Sequence, residues 1–197
     1  MLKQNNGFTL IELIVSILVS SVVVLSAVLF LSVCLTNYRN SAAETELMTE
    51  SQITVNLIRE VVMEATEPVE TGEAGGGAYY YIAVKTKGGQ DGSSAPGSEY
   101  YHLFVHDING NRLLYHREEG TGPASAEGWI NSEFGNGMVD KADLKKYFLA
   151  DYVRYMRLHT TANPQLMELE LQFDCNERLY HTSETILIRN TLPEISE

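Results

Sequence analysis

Hydrophobic and polar positions divide this chain into three regimes. From Leu13 to Leu35 the sequence LIVSILVSSVVVLSAVLFLSVCL holds no charge, proline or glycine. Its polar side chains are serines, which can bond back to the preceding turn of a helix. About 20 apolar residues suffice to cross a bilayer core of about 30 Å, and a lone span in lipid must be helical to satisfy its own backbone. From Thr36 to Ala65 there is no proline or glycine, and Leu47, Thr54, Ile58, Val61 and Ala65, with Leu57 and Val62 beside them, recur at three- and four-residue spacing. Glu44, Glu46, Glu50, Glu60 and Glu64 fall largely on other faces. The pattern predicts one helix from about Thr9 to Thr66, ended before Pro68 and about 90 Å long. Its lower half is apolar all round, as in lipid or against other copies; its upper half has one stripe, as against a domain.

The third regime alternates. Glu70 to Gly77 reads as a flexible link, followed by strands at Tyr79–Thr86 and Glu99–Asp107 with a loop from Lys87 to Ser98 between them. Asn109-Gly110 signals a hairpin between Tyr100–Asp107 and Arg112–Arg117. Glu118–Gly128 reads as a loop, followed by Trp129-Ile130 and the glycines Gly135 and Gly137. A short helical turn is expected at Lys141–Tyr147, then strands at Val153–His159 and Gln165–Asp174. In the latter, Met167, Leu169, Leu171 and Phe173 alternate with Glu168, Glu170, Gln172 and Asp174, a half-buried antiparallel pattern. A last strand runs through Ile186-Leu187-Ile188-Arg189. The fold class is α+β: a long N-terminal α-helix with a membrane-spanning lower half, and an antiparallel β-sheet domain packed on its upper half.

Glu12 is the anomaly, a carboxylate at the head of the apolar run. At a bilayer centre it costs roughly 2.5–3.5 kcal/mol on insertion scales, less near the interface, and marks a functional candidate. A secretory signal peptide has a shorter apolar core and a small-x-small cleavage site, neither found here. A lipoprotein signal needs a small residue before its cysteine, whereas Val33 precedes Cys34. An uncleaved signal anchor accounts for Lys3 and the apolar run but leaves Gly7 and Glu12 unexplained.

The stretch Gly7-Phe8-Thr9-Leu10-Ile11-Glu12 resembles the cleavage and methylation motif of type IV pilins and type II secretion pseudopilins. The resemblance covers the leader and the following helix. It implies a leader, residues 1–7, cut at Gly7–Phe8 by a prepilin peptidase/methyltransferase that then N-methylates Phe8. Residues 8–35 would form the transmembrane and assembly half of the helix, 36–67 its amphipathic half, and 68–197 the β-rich domain. Gly7 has no Cβ, so a protease can approach the bond closely. A buried carboxylate that meets a cation recovers much of its cost. In the resembled family Glu12 faces the Phe8 amine of a neighbour and draws subunits into register, which requires cleavage first. The implied partners are other pilin or pseudopilin subunits, a membrane assembly platform, and the lipid bilayer before assembly. The implied location is the cytoplasmic (inner) membrane, single-pass with a cytoplasmic N-terminus and an external soluble domain.

Charge and composition narrow the rest. The chain has 197 residues and a formal net charge of −12. Lys3 and Glu12 cancel, so the part beyond the membrane is equally acidic, which favours solubility and opposes bulk nucleic-acid binding. Cys34 and Cys175 imply no disulfide framework. His102 and His106 share a strand face about 13 Å apart, too far to chelate one ion, and read as surface or partly buried histidines. Asp107 to Glu118 has the length of a calcium loop, but Arg112 stands where such a loop needs its sixth-position glycine. Calcium does occur in some pseudopilins; the Asn-Gly hairpin is the preferred reading. Tyr79-Tyr80-Tyr81 and Tyr100-Tyr101 read as strand filling with hydroxyls in water rather than an adhesive surface. Lys141, Lys145, Lys146, Arg154 and Arg157 read as a solvated face. Nothing in the sequence argues for an enzyme or a cofactor. The absence of a cysteine pair and the loop-rich acidic domain favour a minor filament subunit. The strand spacing and closing Ile-Leu-Ile-Arg-Asn-Thr resemble the larger J-type minor pseudopilins. Retention of Glu12 argues against the outermost tip. The other class is an uncleaved, signal-anchored surface protein with an independent ligand-binding ectodomain.

Overall fold

A computed structural model describes residues 9–87, 98–120, 122–123, 125–134, 147–163, 165–175 and 178–189. Helix α1 spans Leu10–Met63. Contacts divide the chain into two units, Met1–Thr45 and Glu46–Glu197. In the first unit every side chain from Thr9 to Ala42 is exposed, as expected of a helix apolar on all sides with no domain around it. This helix is long and apolar enough to cross a membrane.

In the second unit α1 carries a buried stripe of Leu47, Ser51, Thr54, Val55, Ile58, Val61 and Val62. The helix ends by tightening: Glu64 and Ala65 donate to carbonyls three residues back, Val61 and Val62, at 3.2 Å. Arg189 N–H takes the Met63 carbonyl at 2.9 Å and Thr66 N–H donates to Lys85 O at 2.9 Å, so the last carbonyls and the exit are held by the domain.

Eight strands follow. They are β1 (Glu70–Ala74), β2 (Tyr79–Lys87), β3 (Glu99–Asp107), β4 (Arg112–Glu119), β5 (Phe148–Ala150), β6 (Val153–Thr160), β7 (Leu166–Cys175) and β8 (Arg178–Leu187), with helix α2 at Ala126–Glu133. They form two antiparallel sheets, β1-β2-β3-β4-β5 and β6-β7-β8. One face of the first sheet, with Ile82, Val84, Phe104 and Leu113, shares a core with the stripe of α1 and with Met156, Leu169, Leu171 and Phe173 of the second sheet. The other face, with Tyr81, Ala83, Tyr101, Leu103, Val105 and Leu114, packs on Ala126, Ile130 and Phe134 of the α2 segment.

Four expectations are corrected. Glu70–Gly77 is not a flexible link: Glu70 to Ala74 pair with β2, and Gly72 lies under the Tyr81 ring, where a Cβ would sit 2.7 Å from the hydroxyl. The glycines that follow make a left-handed turn, with φ of 62°, 66° and 89° at Gly75, Gly76 and Gly77. The loop expected over Glu118–Gly128 is shorter: β4 runs to Glu119, and a helix that includes Trp129-Ile130 starts at Ala126, capped by Ser125, which accepts from Gly128 N at 2.8 Å. The single sheet is two, divided where Tyr152 adopts φ 61° between β5 and β6. The last strand begins at Arg178 and ends at Leu187. Its half-buried polar positions hid it, and one of them, Glu184, is bridged to Arg59 of α1 at 2.8 Å. The expected turn at Lys141–Tyr147 and the glycines Gly135 and Gly137 lie outside the described residues, apart from Tyr147 itself.

Two buried histidines sit on β3. His102, 7% exposed, lies between the Thr86 hydroxyl (3.0 Å from Nε2) and the Tyr115 hydroxyl (2.7 Å from Nδ1). His106, 2% exposed, bonds the Val153 carbonyl at 2.7 Å through Nε2, while Val153 N–H donates to Asn111 O at 2.9 Å. The β3–β4 turn thus clamps the crossover between the sheets. Burial, then the Arg117 charge, pushes the pKa of His102 down to about 4. Burial also lowers that of His106, against the bond to Val153 and the Asp107 charge.

These features set three expectations for stability. An unfolded His102 takes up its proton near pH 6.5 and the folded one only near 4. Stability therefore falls as pH drops through that window and levels off below it, by about 3 kcal/mol from this group. Urea unfolding at several pH values will show a shallower acid loss in His102→Gln; an unchanged slope would refute it. Gly76→Ala costs about 1–2 kcal/mol although nothing lies within 4 Å of the added methyl, because the cost is the left-handed backbone alone. Ile58→Ala, at a fully buried site, costs about 2–5 kcal/mol.

Candidate functional site

The head of α1 is built on Thr9 and Glu12. Thr9 precedes the helix and Glu12 stands in its first turn. Glu12 N–H donates to Thr9 Oγ1 at 3.4 Å, while Glu12 Oε2 accepts from Thr9 N–H and from Thr9 Oγ1, both at 2.9 Å. This reciprocal arrangement is a capping box: each residue satisfies a donor that the first turn leaves unpaired. It holds the carboxylate at the positive end of the helix dipole. Both Thr9 bonds go to Oε2, so among the described residues Oε1 accepts none. One oxygen anchors the helix start and the other takes no bond from a described residue.

From Leu13 to Leu35 the helix presents apolar groups, serine hydroxyls and the Cys34 thiol. Ser16 Oγ donates to Glu12 O at 2.7 Å, Ser21 to Leu18 O at 2.8 Å, Ser26 to Val22 O at 2.7 Å and Thr36 to Ser32 O at 3.0 Å. Each hydroxyl is satisfied by its own helix and adds little polarity to the surface. Glu12 is the one ionisable carboxylate of the helix until Glu44. Gly7 and Phe8, the expected cleavage and methylation positions, lie outside the described residues. Thr9 was given no role by sequence, although Thr-x-x-Glu before an apolar run is the signature of a capping box.

The remaining candidates resolve into structure. His102 and His106 are buried, not superficial, and each is held by the bonds described above. Asp107 is occupied at the β3–β4 turn: Oδ1 accepts from Gly110 N–H at 2.9 Å and Oδ2 pairs with Arg112 at 2.8 Å. No group of three or more His, Cys, Asp or Glu converges among the described residues. The tyrosine hydroxyls do not simply face water. Those of Tyr79 and Tyr81 donate to Phe134 O (3.3 Å) and Glu70 Oε1 (3.0 Å), and that of Tyr80 accepts from Leu158 N–H (3.2 Å). Tyr81 and Tyr101 have pKa values pushed up to about 12, chiefly by burial. Arg154 pairs with Asp174 at 2.9 Å and Arg157 lies 5.6 Å from the centre of the Tyr155 ring; Lys141, Lys145 and Lys146 lie outside the described residues. Cys34, exposed, and Cys175, half-buried, are free thiols.

Comparison with known proteins bears on the head of α1. No curated protein and no solved structure matches the chain. The family model of the prokaryotic N-terminal methylation motif matches residues 2–28, the stretch that holds Gly7, Phe8, the Thr9–Glu12 box and the first part of the apolar run, and it supports a pilin-like N-terminus.

Proposed function

We propose that the chain is a non-enzymatic structural subunit, and a minor one, of a type IV pilus-like filament or a type II secretion-type pseudopilus. Prepilin peptidase cuts between Gly7 and Phe8 and methylates the new terminus. The subunit waits in the inner membrane with its soluble domain outside the cytoplasm. It then enters the filament as Glu12 pairs with the Phe8 amine of a neighbour. The observation that carries this reading is the methylation motif over residues 2–28 coinciding with a carboxylate whose Oε1 is open at the head of the apolar helix.

The chemistry explains the order of events. Before cleavage the leader separates the amine from the helix head, and Glu12 has only its own Thr9. After cleavage the amine of each chain is one residue from Thr9 in sequence. A neighbour's ammonium can then approach Oε1 while Oε2 keeps the helix capped. In a low-dielectric setting such a pair is strong, and its charge-assisted hydrogen bonds are directional, which suits it to setting register.

Mass spectrometry of protein purified from membranes will find a chain beginning at N-methyl-Phe8; retention of Met1 in a working system would instead favour an uncleaved signal anchor. Glu12→Gln will leave cleavage intact but lower incorporation into sheared filaments more than about tenfold, since breaking a buried ion pair costs roughly 3–5 kcal/mol. Quantitative mass spectrometry of those filaments will find the chain far below the shaft subunit; equal copy numbers would contradict the minor role.

A further inference from the structure

We propose that the Glu50 carboxyl is a proton-operated latch between α1 and the crossover Asp151-Tyr152, which joins β5 to β6. Protonated, it lets the crossover lie against the helix; ionised, it opens that contact to water. The inference does not depend on the filament reading.

Glu50 stands beside Leu47, Ser51 and Thr54 of the buried stripe of α1. The residue as a whole is half-buried, but its Oε2 is sealed from solvent and takes no hydrogen bond from a described residue. A buried carboxylate oxygen without a donor strongly disfavours the ionised form, whereas a neutral carboxyl loses far less on burial. No cation answers the charge. Among the described residues the lysine and arginine ion pairs join Arg59 to Glu184, Lys85 to Glu67, Arg112 to Asp107 and Arg154 to Asp174, and none includes Glu46, Glu50 or Asp151. The acids are not grouped as a metal site among those residues either.

Like charges surround Glu50 instead. Glu46 lies one turn earlier on the same side of α1, and Asp151 meets Glu50 from the crossover. Behind them the Tyr152 hydroxyl lies near Glu46, Asp151 and the Cys175 thiol of β7. Asp174, next to that thiol, is held by Arg154 of β6 at 2.9 Å. Burial first, then the charges of Asp151 and Glu46, push the pKa of Glu50 up, against the Asp151 amide. A proton removes the charge that burial and both neighbours oppose.

The crossover is held unequally on its two sides. Away from α1 it is bonded: Asp174 N–H donates to Tyr152 O at 2.8 Å, Val153 N–H to Asn111 O at 2.9 Å, and His106 bonds the Val153 carbonyl at 2.7 Å. Towards α1, Ala150 and Val153 enter the apolar core, but the polar part of the contact sets Asp151 against Glu50. Tyr152 is 41% exposed and keeps a left-handed backbone, φ 61°, which persists while surrounding contacts determine it. Hydration of an ionised Glu50 reaches Oε2 by lifting this half-exposed pair, leaving the core residues on either side in place.

The pH dependence follows. An unfolded Glu50 titrates near 4.5 and the folded one above it. The latch is closed below the unfolded value, and its contribution to stability is lost as pH rises through the folded pKa. That direction is opposite to the one set by His102.

Thiol labelling of the full chain in detergent micelles reads the latch, with Cys34→Ser leaving Cys175 as the thiol that reports. The probe is 4,4′-dithiodipyridine, which reacts in mild acid as well as at neutrality. Near neutral pH, Glu50→Gln in this background, a neutral stand-in for the closed state, will label at least about threefold more slowly than its Glu50 parent. At pH 4.5, the ordinary value for glutamate, the two rates will agree. Comparing the two chains at one pH cancels the ionisation of the thiol itself. A direct effect of the Glu50 charge would run the other way, since a nearby anion raises a thiol pKa and slows labelling. Carboxyl 13C NMR of the unsubstituted chain, which needs no change at Glu50, will place the Glu50 midpoint above 4.5, and Asp151→Asn will lower it. A midpoint at or below 4.5, equal labelling of the two chains near neutrality, or a rate ratio that is the same at both pH values would each overturn the proposal.

Discussion

The constraint on which the N-terminal half depends is the position of one carboxylate. Glu12 stands where an apolar helix begins, and the helix below it offers no second charge before Arg39. The cost of that charge in lipid is offset in two stages. Within the chain, Thr9 supplies an amide and a hydroxyl to Oε2, and the dipole of the first turn favours a negative group there. Oε1 accepts no bond from a described residue, and the second stage is the partner proposed above. In the proposed reading, the capping box makes the carboxylate of an unassembled subunit tolerable in lipid without fully satisfying it, and that residual deficit drives assembly.

The second unit solves a different problem, that of fixing a single conformation in a loop-rich acidic chain. It does so with two cores that share one sheet. The upper part of α1 and the three-stranded sheet cover one face; α2 covers the other. The buried histidines are matched individually, Thr86 and Tyr115 on His102 and Val153 on His106, while Arg59 pairs with Glu184 where the helix meets the solvent. The hairpin turn after β3 also reaches the crossover at Val153, so the left-handed residues Asn111 and Tyr152 lie at opposite ends of one clamp. Strain at such positions persists because the surrounding bonds determine it.

Much of this was legible in the residues. The helix, the bounds of β2 and β3, and the alternation of β7 followed from periodicity, since each has a strong apolar signal of the right period. The N-terminal motif was read from side-chain identity at fixed spacing. What escaped shares a physical reason: its local signal favoured a different state. β1 consists of Glu, Thr, Gly, Glu and Ala, weak strand formers held by their pairing with β2, where Gly72 leaves room for the Tyr81 ring. In α2, Gly128 inside the helix masked the Ser125 cap and the Ala126–Ile130 spacing. Asn109-Gly110 did mark a hairpin, but the left-handed residue is Asn111, φ 51°. Gly110 is small because the Asp107–Arg112 pair closes over it. The split into two sheets rests on Tyr152, whose backbone conformation no residue preference announces.

The most direct measurement of the central claim is a distance between chains. Filaments can be assembled from a mixture of two preparations, one labelled with 15N at phenylalanine and the other with 13C at glutamate. Solid-state NMR then reads only contacts between different subunits. The account predicts an intermolecular contact of about 3–4 Å between the methylated Phe8 nitrogen and the Glu12 carboxyl carbon, as an ion pair requires. A spectrum in which Glu12 shows no intermolecular nitrogen within about 6 Å would contradict it.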